Sequence, residues 1–454
     1  MSGYWLVRGL ARFLLSLFYR RVEVVGLEQI PPTGPVILAA NHQNALVDPM
    51  LLMATLTRRL RPLAKAPLFR HPLIAPFLRL TGVIPVYRRQ DPGTDPALNK
   101  EMFRIATATL LEGGVILIFP EGLSQPEPVL MQLRTGAARM LLEAEAASAG
   151  GLAVKLLPVG LTFREPGSFR TGWALVLAGA PIHTDDCIGL YRSEPEKAVR
   201  ELTDRLAEAL RRLIVEAEDR QTLRLLHVVE AIKREESPGE VRDLAERAEW
   251  MQWVMRAYRY LNMREPARVE NVRREVERYA KDLELAGLTG RQLSQSYRAG
   301  VVLRYAFREG LSLLFGLPFA LWGIANHVIP YQLTRLAVRL NRPSPDTEST
   351  YKLGAGVVLY PICWACQGWI VWQLGGGWSL AAFISSLVPT GFFALTWRER
   401  LGRFSREALG FFRFLFDQSL HRRLLARRHT LMEQLTALGR LVPDSVLAGE
   451  KKGR

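Results

Sequence analysis

The chain of 454 residues carries a formal net charge of +16 and is 48% hydrophobic. That length is enough for two or three domains, and a basic, apolar-rich chain points to nucleic acid or an anionic membrane as its partner. Only three cysteines occur, Cys187, Cys363 and Cys366, which excludes a disulfide framework and fits a reducing compartment.

Residues 1–21 set Trp5, Leu6, Leu10, Phe13, Leu14, Leu17 and Phe18 among Arg8, Arg12, Arg20 and Arg21. The arginines interrupt any run long enough for a secretory signal, and no small-residue cleavage site follows. The pattern predicts an amphipathic helix, either lying in a membrane interface or packed on the next domain.

Residues 22–215 alternate short apolar strands with helical stretches, which predicts an α/β domain with helices flanking a sheet. Strands are predicted at 22–25, 36–40, 83–86, 115–119, 156–161 and 173–177, and helices at 97–112 and 135–149. Pro158 inside one strand suits an edge or a bulge.

The strand at 36–40 empties into Asn41-His42-Gln43-Asn44-Ala45-Leu46-Val47-Asp48-Pro49. A histidine there sits at the carboxyl end of a strand, where α/β folds place ligands. On a regular helix Asp48 would be turned away from His42, and Pro49 biases Asp48 out of the helical region. The two side chains therefore meet only through a turn, which the two asparagines favour. His42 is then either a base with a carboxylate to fix its tautomer, or a strand-end residue capping a helix.

Further along, Lys65 stands alone among apolar residues. The strand at 83–86 runs into Tyr87-Arg88-Arg89, whose planar forks suit a phosphate or stay solvated. In Phe119-Pro120-Glu121-Gly122-Leu123-Ser124, a proline that fixes φ and a glycine that permits positive φ flank Glu121. Such a carboxylate can accept hydrogen bonds from a polyol or cap a helix.

Taken with Leu157-Pro158-Val159-Gly160, these stretches resemble, in order and approximate spacing, the four sequence blocks of the glycerolipid acyltransferases. The resemblance covers roughly residues 20–215. It implies transfer of a fatty acyl chain to glycerol-3-phosphate, or to a lysophospholipid such as lysophosphatidic acid. It also implies His42 as general base, Asp48 as its partner, and a substrate-binding set of Asn41, Lys65, Arg88, Arg89, Glu121, Gly122 and Ser124. No bound cofactor or metal is implied; the co-substrate is acyl-CoA, an acyl-carrier protein or an acyl phosphate. Five residues separate His42 from Asp48 where the family commonly has four. That spacing looks like the subgroup related to fungal glycerol-3-phosphate and dihydroxyacetone-phosphate acyltransferases. No G-x-S-x-G surrounds any serine, which argues against a serine hydrolase. A non-catalytic lipid-binding scaffold is the reading from a different class.

Residues 216–306 turn charged and helical, with a break at Ser237-Pro238-Gly239 and an apolar cluster of Trp250, Trp253, Met255, Tyr258 and Leu261. In the membrane region, 307–400, residues 310–334 and 353–396 lack Asp, Glu, Lys and Arg. Pro318, Asn326, His327 and Pro330 interrupt the first stretch. Gly375-Gly376-Gly377 divides the second into two near-spanning halves, predicting a helical hairpin with two crossings, or three with the first stretch. Trp364, Trp369, Trp372, Trp378 and Trp397 are the predicted interface anchors, and Cys363 and Cys366 are predicted as buried thiols. Residues 401–454 interleave Phe404, Phe411, Phe412, Phe414 and Phe416 with arginines, which after a membrane hairpin predicts an interfacial helix on anionic lipid rather than a nucleic-acid surface. With basic flanks on the cytoplasmic side, the active domain lies on the cytoplasmic face.

Overall fold

Two uninterrupted apolar runs, Val36–Ala40 and Val115–Ile118, are buried along their whole length and pair with each other in parallel. Such runs belong inside a sheet covered on both faces. The computed structural model describes residues 2–72, 74–88, 91, 95–148, 150–170, 172–236, 243–293 and 299–447. Two units emerge, residues 1–220 with 244–252 and 343–350, and residues 221–243 with 253–342 and 351–454.

The first unit is α/β. Its strands are β1 (Arg21–Val25), β2 (Val36–Ala40), β3 (Leu60–Lys65), β4 (Ile84–Val86), β5 (Val115–Ile118), β6 (Lys155–Arg164) and β7 (Trp173–Ala178), in the order β1-β7-β6-β2-β5-β3-β4. From β6 across to β4 every pairing is parallel, so the carboxyl ends of β2, β5, β3 and β4 share one edge. β7 runs antiparallel to β6, with β1 parallel beside it. The helices are α1 (Ser2–Phe18), α2 (Val47–Thr55), α3 (Ala75–Thr81), α4 (Asn99–Leu111), α5 (Gly136–Ala147), α6 (Asp185–Tyr191) and α7 (Pro195–Leu213). Ile37, Ile116, Leu141, Leu156, Leu202 and Leu206 lie in the core between the sheet and α5 and α7.

Two strand expectations need correction. β3 is not anticipated, because Arg61 and Pro62 break its apolar pattern. Pro62 stands where the ladder passes from β5 to β4, after the Pro62↔Leu117 register and before Leu63↔Ile84. Pro158, read as an edge or bulge signal, instead sits in an interior strand. It pairs with Ala39 on β2 and precedes the first antiparallel pair with β7, Val159↔Ala178. α1 buries Tyr4, Ala11, Leu15 and Phe18 and leaves Trp5, Leu6, Leu10 and Phe13 exposed. Its packed face is tied down by Leu60 N–H donating to Tyr4 Oη (2.9 Å) and by Arg8 Nε donating to Met53 O (3.1 Å).

The second unit is helical. It draws on α8 (Arg220–Glu236), α9 (Leu244–Arg264), α10 (Pro266–Ala286), the short α11 (Gly290–Leu293), α12 (Ala299–Asn341), α13 (Glu348–Phe416) and α14 (Gln418–Gly439). The predicted break at 237–239 lies outside the described residues. α12 and α13 are both long and apolar enough to cross a membrane, over Leu303–Asn341 and Glu348–Arg413. α12 continues through Pro318 and Pro330 rather than being interrupted there. α13 is two helical arms broken at Gly376, whose φ of 70° and ψ of −166° are open to glycine alone.

Gly323 lies against the carbonyl oxygen of Thr390, and a Cβ on Gly391 would come within 2.8 Å of His327 Nε2. Small residues thus bring α12 and the second arm of α13 into close approach. Trp322 Nε1 donates to Ser386 Oγ at 3.0 Å, and Trp397 Nε1 to Leu313 O at 2.9 Å. Trp397 is therefore a packing residue as well as a candidate anchor, whereas Trp369, Trp372 and Trp378 are exposed. Of the three thiols only Cys187 is buried. Cys363 is half-buried and Cys366 exposed, because they lie on a helix whose outer face is itself apolar.

Candidate active site

The last residues of β2 and β5 lead into the two loops that build the site. Asn41 continues the pairing of β2 with β6 through its side chain. Its Nδ2 donates to Leu161 O at 2.9 Å, and Leu161 N–H donates to its Oδ1 at 2.6 Å. Asn41 is buried, and its amide anchors the backbone of Leu161.

His42 is gripped on every side but one. Its N–H donates to Glu121 Oε1 (2.8 Å), and its carbonyl accepts from Gln125 N–H (3.1 Å). Its ring stacks on Phe119 with centroids 4.1 Å apart and an 18° tilt. Nδ1 lies 2.8 Å from Asp48 Oδ2. The side chain keeps 17% exposure, and among the described residues its Nε2 has no hydrogen-bond partner.

The turn needed for this contact is present, in a form the sequence reading did not foresee. Asp48 is helical, in the first turn of α2, and Pro49 beside it causes no break because N–H groups there have no intrahelical acceptor. The helix start also favours a carboxylate. Asp48 is fully buried, and its Oδ2 additionally accepts from Gln43 N–H and Asn44 N–H, each at 2.8 Å. The five-residue spacing closes through Ala45, held at a φ of 37°, a conformation that residues with a Cβ rarely adopt. Ala45 N–H donates to Ser124 Oγ (3.0 Å) and Leu46 N–H to Thr350 Oγ1 (3.2 Å). The N–H groups of residues 43–46 are all engaged, so this turn offers no backbone donor to an oxyanion. Behind it, Asn44 Nδ2 donates to Tyr19 Oη at 2.7 Å, and burial pushes that phenol well above its ordinary pKa.

Glu121 accepts from His42 N–H at Oε1 and from Met131 N–H at Oε2 (3.2 Å), and it is 3% exposed. Burial raises its pKa, while the two backbone donors pull the other way. The carboxylate thus braces two backbone segments. Gly122 has the anticipated positive φ, 76°. Its carbonyl accepts from Arg88 Nη1 at 2.6 Å. The rest of the Arg88 fork is occupied, with Nε and Nη2 2.8 and 2.7 Å from the two oxygens of Asp91. Lys65 ends β3 with its side chain exposed, and Arg89 lies outside the described residues. His42, Asp48, Glu121, Gly122 and Arg88 are thus joined through direct bonds at one sheet edge, with Ser124 bonded to the turn at Ala45.

Sequence reasoning missed Phe119 as the ring's support, Thr350 as a partner of the turn, Asp91 as a partner of Arg88, and Arg134. Arg134 follows buried Leu133 in the loop after β5, and its Nε and Cδ lie 2.8 and 2.9 Å from where a Cβ on Gly122 would stand. No local pattern announces any of these contacts.

Residues 21–162 match the family model described as Acyltransferase. An uncharacterized acyltransferase of Schizosaccharomyces pombe is 24% identical over 50% of this chain and 46% of its own length. Glycerol-3-phosphate O-acyltransferase 2 of Saccharomyces cerevisiae is 29% identical over 43% of this chain and 26% of its own. The mouse 1-acyl-sn-glycerol-3-phosphate acyltransferase alpha is 30% identical over 30% of this chain and 45% of its own. The chain spans less than half the length of these curated relatives.

Proposed function

We propose that the acyltransferase domain of this chain moves a fatty acyl group onto a hydroxyl of glycerol-3-phosphate. The observation that carries this reading is the His42–Asp48 pair, 2.8 Å apart, with Nε2 unengaged among the described residues. Asp48 keeps the proton on Nδ1 and leaves Nε2 as the base. As the glycerol oxygen attacks the carbonyl carbon of an acyl thioester or acyl phosphate, its proton passes to Nε2. The carbonyl–sulfur or carbonyl–oxygen bond then breaks, and the imidazolium gives the proton to the leaving thiolate or, with an acyl phosphate, to the leaving phosphate. Asp48 steadies the charged ring between the two steps.

Asn41, Glu121 and Ser124 act as positioning residues in this scheme. They hold the strand end, the His42 backbone and the turn, so that the ring is already aligned when substrate arrives. Lys65, exposed at the end of β3 on the same sheet edge, adds a basic group toward the acceptor's phosphate. The longer stretch shared with the yeast glycerol-3-phosphate enzyme than with the mammalian relative supports glycerol-3-phosphate over its acylated form. Two long apolar helices, the exposed apolar face of α1 and the basic tail support a membrane-bound protein with its site at the cytoplasmic lipid surface.

The test is acyl transfer to glycerol-3-phosphate and to lysophosphatidic acid by the full-length chain and by His42→Ala. Loss of about 10²–10⁴ in kcat with little change in acceptor KM is the expected result. Unchanged turnover would remove His42 as the base.

A further inference from the structure

Arg88 is the arginine that the strand pattern offers to a phosphate, yet its fork is filled. Its Nε and Nη2 face two oxygens of one carboxylate in the bidentate arrangement a phosphate would take, and Nη1 holds the Gly122 carbonyl. The Asp91 side chain is only 9% exposed. Its hydrogen bonds from Arg88 hold its carboxyl below the ordinary range, so the group is a carboxylate at neutral pH.

Arg134 is placed differently. Its N–H donates to Pro120 O at 2.7 Å, which sets the loop beside the exit of β5. Its side chain then crosses the α-carbon of Gly122, in space that any larger residue would fill. The residue is exposed, and among the described residues its guanidinium has no hydrogen-bond or ion-pair partner. Two guanidiniums therefore bracket Gly122, one neutralised by Asp91 and one open to solvent. The adjacent Glu121 carries the backbone of His42. Neighbouring residues thus tie the base to one side and the open cation to the other.

We infer that Arg134 is the residue that binds the acceptor's phosphate, while Arg88, held by Asp91, fixes the position of Gly122 beneath it. Arginine at that place presents a planar fork to a phosphate over a glycine that leaves it room. This assignment rests on the acyl-transfer reading, but phosphate binding can be measured without turnover.

The experiment uses the full-length chain in detergent, with inorganic phosphate as the calorimetric probe and glycerol-3-phosphate and glycerol as acceptors. Arg134→Ala is expected to weaken phosphate binding and raise the glycerol-3-phosphate KM by about tenfold or more, as for loss of a charge-assisted pair. Its kcat should stay within about threefold, and kcat/KM for glycerol should not fall, because only the phosphate contact is removed. Arg134→Lys is expected to recover part of the affinity. Asp91→Asn, which empties the Arg88 fork, is expected to give no tightening. Unchanged phosphate binding in Arg134→Ala overturns the inference. So does a tightening in Asp91→Asn, which would make Arg88 the receiver and Asp91 its competitor. Phosphate binding that responds to Arg134→Ala in a chain unable to transfer an acyl group would sink the acyl-transfer reading and leave this assignment standing.

Discussion

At the ends of β2 and β5, side chains grip backbone. Asn41, Asp48, Glu121 and Ser124 each accept from a main-chain N–H, and three of these grips join residues 79, 79 and 120 positions apart. In α12 and α13 backbone approaches backbone directly, at Gly323 against Thr390, because the side chain between them has been reduced to hydrogen. The difference follows from the groups that meet. At the strand ends, buried polar side chains meet backbone N–H groups that the sheet leaves unpaired, so orientation there comes from directional hydrogen bonds. The long apolar helices satisfy their own backbone internally, and close packing over small residues is what joins them.

The contrast is sharpest at Glu121. Glu121→Gln keeps the shape but sets an amide N–H₂ against a backbone N–H and weakens the brace on His42. A kcat loss of about 10- to 100-fold is expected, with acceptor KM unchanged, as for losing a hydrogen bond to a buried charge. A rise in KM instead would return Glu121 to the acceptor site. In the second unit Gly323→Leu should act on stability rather than chemistry, because its side chain has to push aside the Thr390 carbonyl. A cost of about 1–3 kcal/mol is expected, read as a lower unfolding midpoint in detergent. An unchanged midpoint would mean that the close approach is not needed.

The smallest effect concerns charge in the second unit. Burial raises the Glu235 pKa to about 7, against the pull of Arg428, whose Nη1 is 3.7 Å away. Its folded pKa lies above its unfolded one, so its contribution is complete below the ordinary Glu pKa and is lost as pH rises through about 7. The melting temperature of the second unit should fall by roughly 2–4 °C between pH 5 and pH 8, and Glu235→Gln should flatten the change. A wild-type curve without slope over that range would show that Glu235 is not shifted.

Much of the α/β unit was legible in the sequence. Val36–Ala40 and Val115–Ile118 are interior strands because nothing polar interrupts them, and both end where the chemistry-bearing residues begin. Gly122 and Gly376 were legible as well, since the positive φ observed at each suits glycine. β3 was hidden because Arg61 and Pro62 disguise a strand whose two halves pair with different neighbours. The helical state of Asp48 was hidden because the bias that Pro49 imposes on its predecessor gave way to a helix start with buried hydrogen bonds.

By itself, the order of residues determined which segments are apolar enough to be interior strands or long apolar helices, and which reactive side chains stand at strand exits. Those properties are local, set by side-chain chemistry and backbone preference a few residues at a time. Only the tertiary structure decided that Asp91 fills the fork of Arg88, that Arg134 lies open over Gly122, and that Glu121 holds the backbone of His42. Hydrogen-bond and ion-pair partners are chosen by which strand ends and loops the parallel sheet brings to one edge, and separation along the chain carries no record of that choice.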